Sequence, residues 1–285
     1  MRKRKNIAYW VVLAVVLVIT GGCRRAAEPK KCGVTVSLPA VAYFVDRLLP
    51  DSIEVGAMIP PGDNHDTYSP QPSQLVRLTS SVAYVALGPL EFETTWRERI
   101  VSSAPEMKWI DISNHVDVIG EGESRDPHYW LSPRRCRQMV EGMRKELTGL
   151  FPSAADYIST EARKLDGELA TVDSLMVVAV GERAEAFLTY HPSLTYIAAD
   201  YGLEQLAIES EGIAVSANSV RETIDRAREK KVGVFFVQAG YDEARVGVIA
   251  EETGGRIVKI DPEGSDPMEC MMLIARTLAG RDGDD

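Results

Sequence analysis

Residues Asp126-Pro127-His128-Tyr129-Trp130-Leu131-Ser132-Pro133 place a histidine between a helix-breaking proline and an aromatic pair, with a second proline ready to open a helix. A histidine fixed in this way, on a rigid loop at the mouth of a helix, suits one half of a metal site. Two other histidines lie in segments of the same kind, Gly62-Asp63-Asn64-His65-Asp66 behind Pro60-Pro61, and Leu188-Thr189-Tyr190-His191-Pro192.

Reading outward from that stretch decides the architecture. On its N-terminal side short apolar runs alternate with amphipathic stretches. Strands are predicted at residues 34–38, 53–59, 82–87 and 109–112, with helices at 41–49, 73–79 and 91–102 between them. Alternation of this kind implies parallel βαβ units. From residue 134 to about 176 the pattern becomes helical, with one break at Phe151-Pro152-Ser153. Its second part, 154–175, carries Glu161, Arg163, Lys164, Asp166, Glu168 and Asp173. Such a helix is either packed on a surface or a strut between lobes, and its mid-chain position favours the strut.

The α/β rhythm then resumes. Strands are predicted at 186–190, 205–208, 232–237 and 256–260, and helices at 192–201, 219–231, 242–253 and 268–278. Pro192 is placed at N1 of the first of these helices and Gly202 just past its end. Ser219-Val220-Arg221-Glu222 reads as a capping box. The expected fold is α/β, two Rossmann-like lobes with parallel sheets (33–150 and 177–285) joined by a long rigid helix at 151–176.

The first 23 residues stand apart. Met1-Arg2-Lys3-Arg4-Lys5 is a basic start, residues 8–19 are apolar, and Thr20-Gly21-Gly22 leads into Cys23. This is the layout of a secretory signal over 1–22, and a cysteine right after small residues resembles a bacterial lipobox. The competing reading, an uncleaved anchor, suffers from an apolar run short of the ~20 residues a span needs. Lipidation at Cys23 followed by a polar tether (23–32) is the expectation, with the protein exported and membrane-anchored. Loss of 1–22 removes four positive charges and takes the formal charge from −10 to −14. That acidity argues against an electrostatic nucleic-acid binder. Cys32, Cys136 and Cys270 are three thiols that cannot all pair within one chain, and no C-x-x-C spacing supports a thiolate zinc site. Cys136 and Cys270 fall in helical patterns and read as buried small hydrophobes.

Ligands bind open parallel sheets beyond the carboxyl ends of the strands. His65, His115 and His191 each follow a predicted strand, and His128 lies in the loop after the fourth. A lone histidine is usually a satisfied or surface residue, but several on one functional rim weigh the other way. His115 is the weakest of the four, with no proline or glycine bracing. Carboxylates are available at Asp63 and Asp66, and in Glu263-Gly264-Ser265-Asp266-Pro267 after the last strand. Asp266 reads equally as a metal ligand and as a helix N-cap ahead of Pro267. Three imidazoles plus a carboxylate or water favour tetrahedral zinc, whereas manganese calls for more oxygen.

Taken together, the lipobox, Pro60-Pro61-Gly62 with His65 and Tyr68-Ser69-Pro70, residues 126–133, and Tyr190-His191-Pro192 with Tyr196 and Asp200-Tyr201-Gly202-Leu203 resemble the metal-receptor lipoproteins of ABC importers, in their zinc-binding branch. The resemblance runs in order from about residue 33 to 280. It implies metal held in the inter-lobe cleft by His65 and His128 from one lobe and His191 from the other. Asp266 occupies the place of the family's fourth ligand, and the receptor, expected as a monomer, delivers Zn(II) to a permease driven by a separate ATPase. Three departures stand out: no histidine-rich loop between the first two motifs, Asn64 where zinc relatives often carry an acid, and Ala214-Val215-Ser216 where Glu-Pro-Ser is usual.

A non-catalytic zinc receptor is therefore the leading expectation, with a Mn(II) or Fe(II) receptor of the same family as its alternative. A zinc hydrolase also uses three histidines and water, but no H-E-x-x-H, G-x-S-x-G or Gly-rich phosphate loop is present. A receptor for a metal chelate or other small ligand, with incidental histidines, is the remaining class.

Overall fold

The computed structural model describes residues 33–182, 185–209, 216–238 and 243–280. The signal, Cys23, the tether, Cys32 and the Ala214-Val215 departure lie outside the described residues. Strands β1 (Gly33–Val36), β2 (Glu54–Ala57), β3 (Ser81–Ala86) and β4 (Lys108–Asp111) form one sheet in the order β2-β1-β3-β4. Strands β5 (Ala186–Thr189), β6 (Glu204–Ala207), β7 (Val234–Gln238) and β8 (Arg256–Ile260) form a second, ordered β6-β5-β7-β8. Each observed pairing is parallel. The chain thus builds the same four-strand topology twice, and the two α/β lobes anticipated from alternating strand and helix patterns are present.

In the first lobe, helices α1 (Pro39–Leu48), α2 (Pro72–Arg77) and α3 (Glu91–Ser103) connect the strands. Helices α4 (Pro133–Leu150) and α5 (Ala155–Glu182) follow, broken at Phe151 and Pro152 as the sequence suggests. Proline at N1 of α1, α2 and α4 starts each helix where its missing N–H costs nothing. The second lobe carries α6 (Thr195–Tyr201), α7 (Ala217–Glu229), α8 (Glu243–Thr253) and the closing α9 (Pro267–Leu278).

The long helix α5 outruns its expected end by seven residues, and its charges hide an apolar stripe. Ile158, Ala162, Leu165, Leu169, Val172, Met176 and Ala179 recur at alternating intervals of four and three, and all are buried. The stripe packs against α4, α9 and α1. Strut and packed helix therefore coincide. One hydrophobic core runs from the first sheet through α4, α5 and α9 to Phe187 and Phe236 of the second, and a smaller core lies beneath its other face. Cys136 and Cys270 are buried free thiols within the larger core.

Two helix starts differ from the sequence reading. Pro192 does not open α6: the Ser193 N–H closes back on the His191 carbonyl at 2.8 Å, and the Leu194 N–H donates to Gln205 Oε1 at 2.7 Å. That turn keeps His191 out of the helix. The capping box of α7 lies three residues earlier than expected, between Ser216 and Ser219, since two short hydroxyl side chains close it as well as Ser219 with Glu222 would.

The rim above the first sheet is knitted by a buried carboxyl. Glu93 accepts the N–H groups of Leu87 (2.8 Å) and Gly88 (2.6 Å) and the Ser37 hydroxyl, and burial pushes it up to about 7. Gly88 takes φ +86°, and a Cβ there would lie 2.5 Å from Asp111 and Ser113, so only glycine fits. The Leu87 carbonyl in turn accepts the Tyr129 hydroxyl at 2.8 Å, tying the rim to the 126–133 stretch.

Leucines 165 and 175 share α5 but not its environment: the first is fully buried and the second 47% exposed. Leu165→Ala is expected to cost about 2–5 kcal/mol of stability, and Leu175→Ala less than ~0.5 kcal/mol, in chemical denaturation. Equal effects would contradict the buried stripe.

Candidate metal centre

The three proline-braced histidines meet. One nitrogen each from His65, His128 and His191 lies within 4.8 Å of the others, and the three residues are 2%, 1% and 7% exposed. His65 comes from the loop after β2, His128 from a 3₁₀ turn, His128–Leu131, in the connection after β4, and His191 from the residues directly after β5. All three thus stand beyond strand carboxyl ends, two on the first lobe and one on the second. His115 is elsewhere: it ends the 3₁₀ turn Ile112–His115, packs on α4 at Gly142 and sits 3.3 Å from Glu146.

Carboxylates back the rings. His128 Nδ1 is 2.9 Å from Asp126 Oδ1, which also accepts the His128 backbone N–H at 2.8 Å. His191 Nδ1 is 3.4 Å from Glu209 Oε2, and its Nε2 is 3.3 Å from His128 Nε2. His65 Nδ1 is 2.6 Å from Glu263 Oε1, and its Nε2 is 3.1 Å from Asp66 Oδ1. A carboxylate on Nδ1 fixes tautomer and ring orientation and leaves the Nε2 lone pair for an electrophile. His128 and His191 show this arrangement with both Nε2 atoms facing each other. Trp130 walls the group, its ring centroid 5.2 Å from His128 and 6.2 Å from His65, and its Nε1–H donates to the Pro262 carbonyl across the lobes at 2.8 Å.

Electrostatics keep the cluster ready for a cation. Burial, and then the neighbouring His128, pushes His191 down to about 4. Burial alone would raise Asp126, but the charge and hydrogen bonds of His128 hold its carboxyl below the usual range. Imidazoles ringed by four carboxylates suit a divalent metal. Beside His65 lies a cavity of about 40 Å³ lined by Gly62, Asp63, Asn64, Gln238, Asp261 and Glu263, among others. It has room for about one water.

The family assignment follows from a match over residues 34–274 to the ZnuA family, described as the zinc-uptake complex component A, periplasmic. The chain belongs to the ZnuA family. It is 23% identical over 270 residues to the zinc-binding lipoprotein AdcA of Streptococcus pneumoniae, covering 88% of this chain and 53% of AdcA. The chain therefore spans about half of AdcA's length. It is also 23% identical over 267 residues to the metal ABC transporter substrate-binding lipoprotein FimA of Streptococcus parasanguinis, covering 85% of each. A crystal structure of ZnuA superposes with a TM-score of 0.81 at 30% identity, covering 87% of this chain and 98% of that one.

Within this ZnuA-family chain the sequence left Asp266 between metal ligand and helix cap. Its Oδ1 accepts the Glu269 N–H at 2.9 Å with Pro267 at N1, so it caps α9, and it is not one of the group formed by the three histidines. The carboxylate that reaches the cluster from that loop is Glu263, and Glu209 joins it unannounced. Glu209 follows the sixth strand as His191 follows the fifth, and that parallel was the available signal.

Because His191 titrates near 6.5 when unfolded and near 4 when folded, the unfolded chain holds the extra proton between those values. This group's contribution to metal-free stability is complete above pH 6.5 and is lost as pH falls towards 4. Thermal melts of metal-free protein should show His191→Gln flattening the decline over that window. A decline of unchanged slope would refute it.

Proposed function

We propose that this chain is the extracytoplasmic zinc receptor of an ABC importer, tethered by a lipid on Cys23. It captures Zn(II) with His65, His128 and His191 and hands it to a membrane permease powered by its ATPase. The observation that carries this reading is the convergence of three buried imidazoles from two lobes within 4.8 Å. The carboxylates on each Nδ1 satisfy one side of each ring, and a shared electrophile would satisfy the nitrogens packed together. Three nitrogens and one oxygen match tetrahedral zinc; Asp66 Oδ1 lies 3.1 Å from His65 Nε2, whereas Glu263, from the loop where the sequence had pointed to Asp266, stands against His65 Nδ1 and orients the ring. FimA, AdcA and the ZnuA family, whose names carry metal transport and zinc uptake, support the same class.

The carboxylates Asp66 and Glu263 favour a second reading, Mn(II) or Fe(II) transport, since those ions take more oxygen ligands. Three imidazoles weigh towards zinc. A zinc hydrolase gains no support from the neighbouring cavity of about 40 Å³, which has room for about one water and is lined by none of the three histidines.

In competitive titrations against a zinc chelator, His128→Ala and His191→Ala should each weaken zinc by at least about a hundredfold, whereas His115→Ala stays near wild type. Glu263→Gln should fall between, at roughly ten- to a hundredfold. Zinc at a thousand times its dissociation constant should stabilise the wild type by about 4 kcal/mol, seen as a raised melting temperature. Wild-type affinity in all three histidine variants would end the assignment, and tighter binding of Mn(II) than Zn(II) would move it to the second reading.

A further inference from the structure

The loop that carries His128 is held at its neck by one hydroxyl from the opposite lobe. Residues 119 and 126 are joined by a single backbone bond, the Asp126 N–H to the Ile119 carbonyl at 2.9 Å. The next two polar groups of that neck both go to Tyr196 of α6: the Ile119 N–H donates to its hydroxyl oxygen at 2.9 Å, and the hydroxyl donates to the Asp126 carbonyl at 2.7 Å. Tyr196 is fully buried, its ring meets Tyr129 edge-on with centroids 6.3 Å apart, and Arg135 lies 5.8 Å over it. The hydroxyl takes the place of a missing strand partner, satisfying a donor and an acceptor that would otherwise be buried alone.

What it secures is one step from the metal cluster. Asp126 grips His128 through both backbone and ring, and Tyr196 sits five residues after His191. One side chain of the second lobe therefore fixes the carboxylate that orients a ligand of the first.

We propose that Tyr196 is a positioning residue for the metal centre, a cross-lobe latch acting through Asp126 on His128 to slow release of the bound ion. The proposal rests on the metal-receptor reading above. The latch is made only while the lobes are together, so it bears on the closed, loaded state. Its loss accelerates departure of the ion and leaves the encounter of ion with open cleft as it was.

The test follows zinc release from the full chain into excess chelator by stopped flow, and zinc association separately. Tyr196→Phe keeps the ring and removes the two hydrogen bonds. It should release zinc roughly tenfold faster, with unchanged association and one zinc per chain. Tyr201→Phe is the control: it removes a hydroxyl bond on the same helix, to Asp173 at 2.7 Å, and should release zinc at the wild-type rate. In a double-mutant cycle with Asp126→Asn, a latch acting through Asp126 gives non-additive release rates, whereas general loosening gives additive ones. Amide hydrogen exchange of the wild type needs no substitution, and zinc should slow exchange at Ile119 and His128 together. Wild-type release from Tyr196→Phe, additive rates, or an Ile119 amide indifferent to zinc would each overturn the latch while leaving the receptor standing. A wild type that binds no zinc would overturn both.

Discussion

Three imidazoles brought within 4.8 Å in a cleft closed to water form an arrangement that a chain avoids without cause. Each ring protonated in place would face two others at short range, with no bulk solvent to disperse the charge. The fold surrounds the rings with acid, while burial and the neighbouring His128 depress the titration of His191. Asp126, Glu209 and Glu263 each stand against a ring Nδ1. A divalent ion between the ring nitrogens would meet those carboxylates with opposite charge.

Everything larger serves to hold that geometry across two lobes. The two sheets repeat one strand order, so each presents its carboxyl edge to the cleft. Loops at such edges are soft by default, and here each is braced from below or across: Glu93 through Leu87 and Tyr129, Trp130 through Pro262, Tyr196 through Asp126. A core shared through α5 and α9 ties the lobes together beneath these contacts.

Much of this was legible in the residues. Strand and helix alternation gave the lobes because parallel sheets buried on both faces read as short apolar runs between amphipathic helices. The histidines announced themselves through prolines, which fix loop geometry locally and so leave a local trace. Elements governed by distant partners were less legible. Nothing in Pro192-Ser193-Leu194 says that Leu194 will donate to Gln205 instead of entering the helix. Nothing near Asp266 says that its cap will prevail, or that Glu263 will turn towards a histidine 198 residues away. Choices between two chemically competent carboxylates in one loop are made by tertiary contact.

A receptor that must both seize and surrender its cargo cannot rely on ligand chemistry alone. Three imidazoles and a carboxylate would hold zinc tightly enough to slow unassisted release, so the proposed function calls for a coordinate along which the site weakens as a unit. Separation of the lobes would supply it, since His191 stands on the second lobe and His65 and His128 on the first. The contacts between the lobes include charged pairs, Arg135 with Asp200 and His65 with Glu263, beside neutral hydrogen bonds such as Trp130 to Pro262 and Tyr196 to Asp126, each neutral bond worth on the order of 1 kcal/mol. A handful of these hold the loaded form closed without making its opening prohibitive. The Arg135–Asp200 pair is largely buried, so parting it would leave uncompensated charge and demand more of whatever pries the cleft apart.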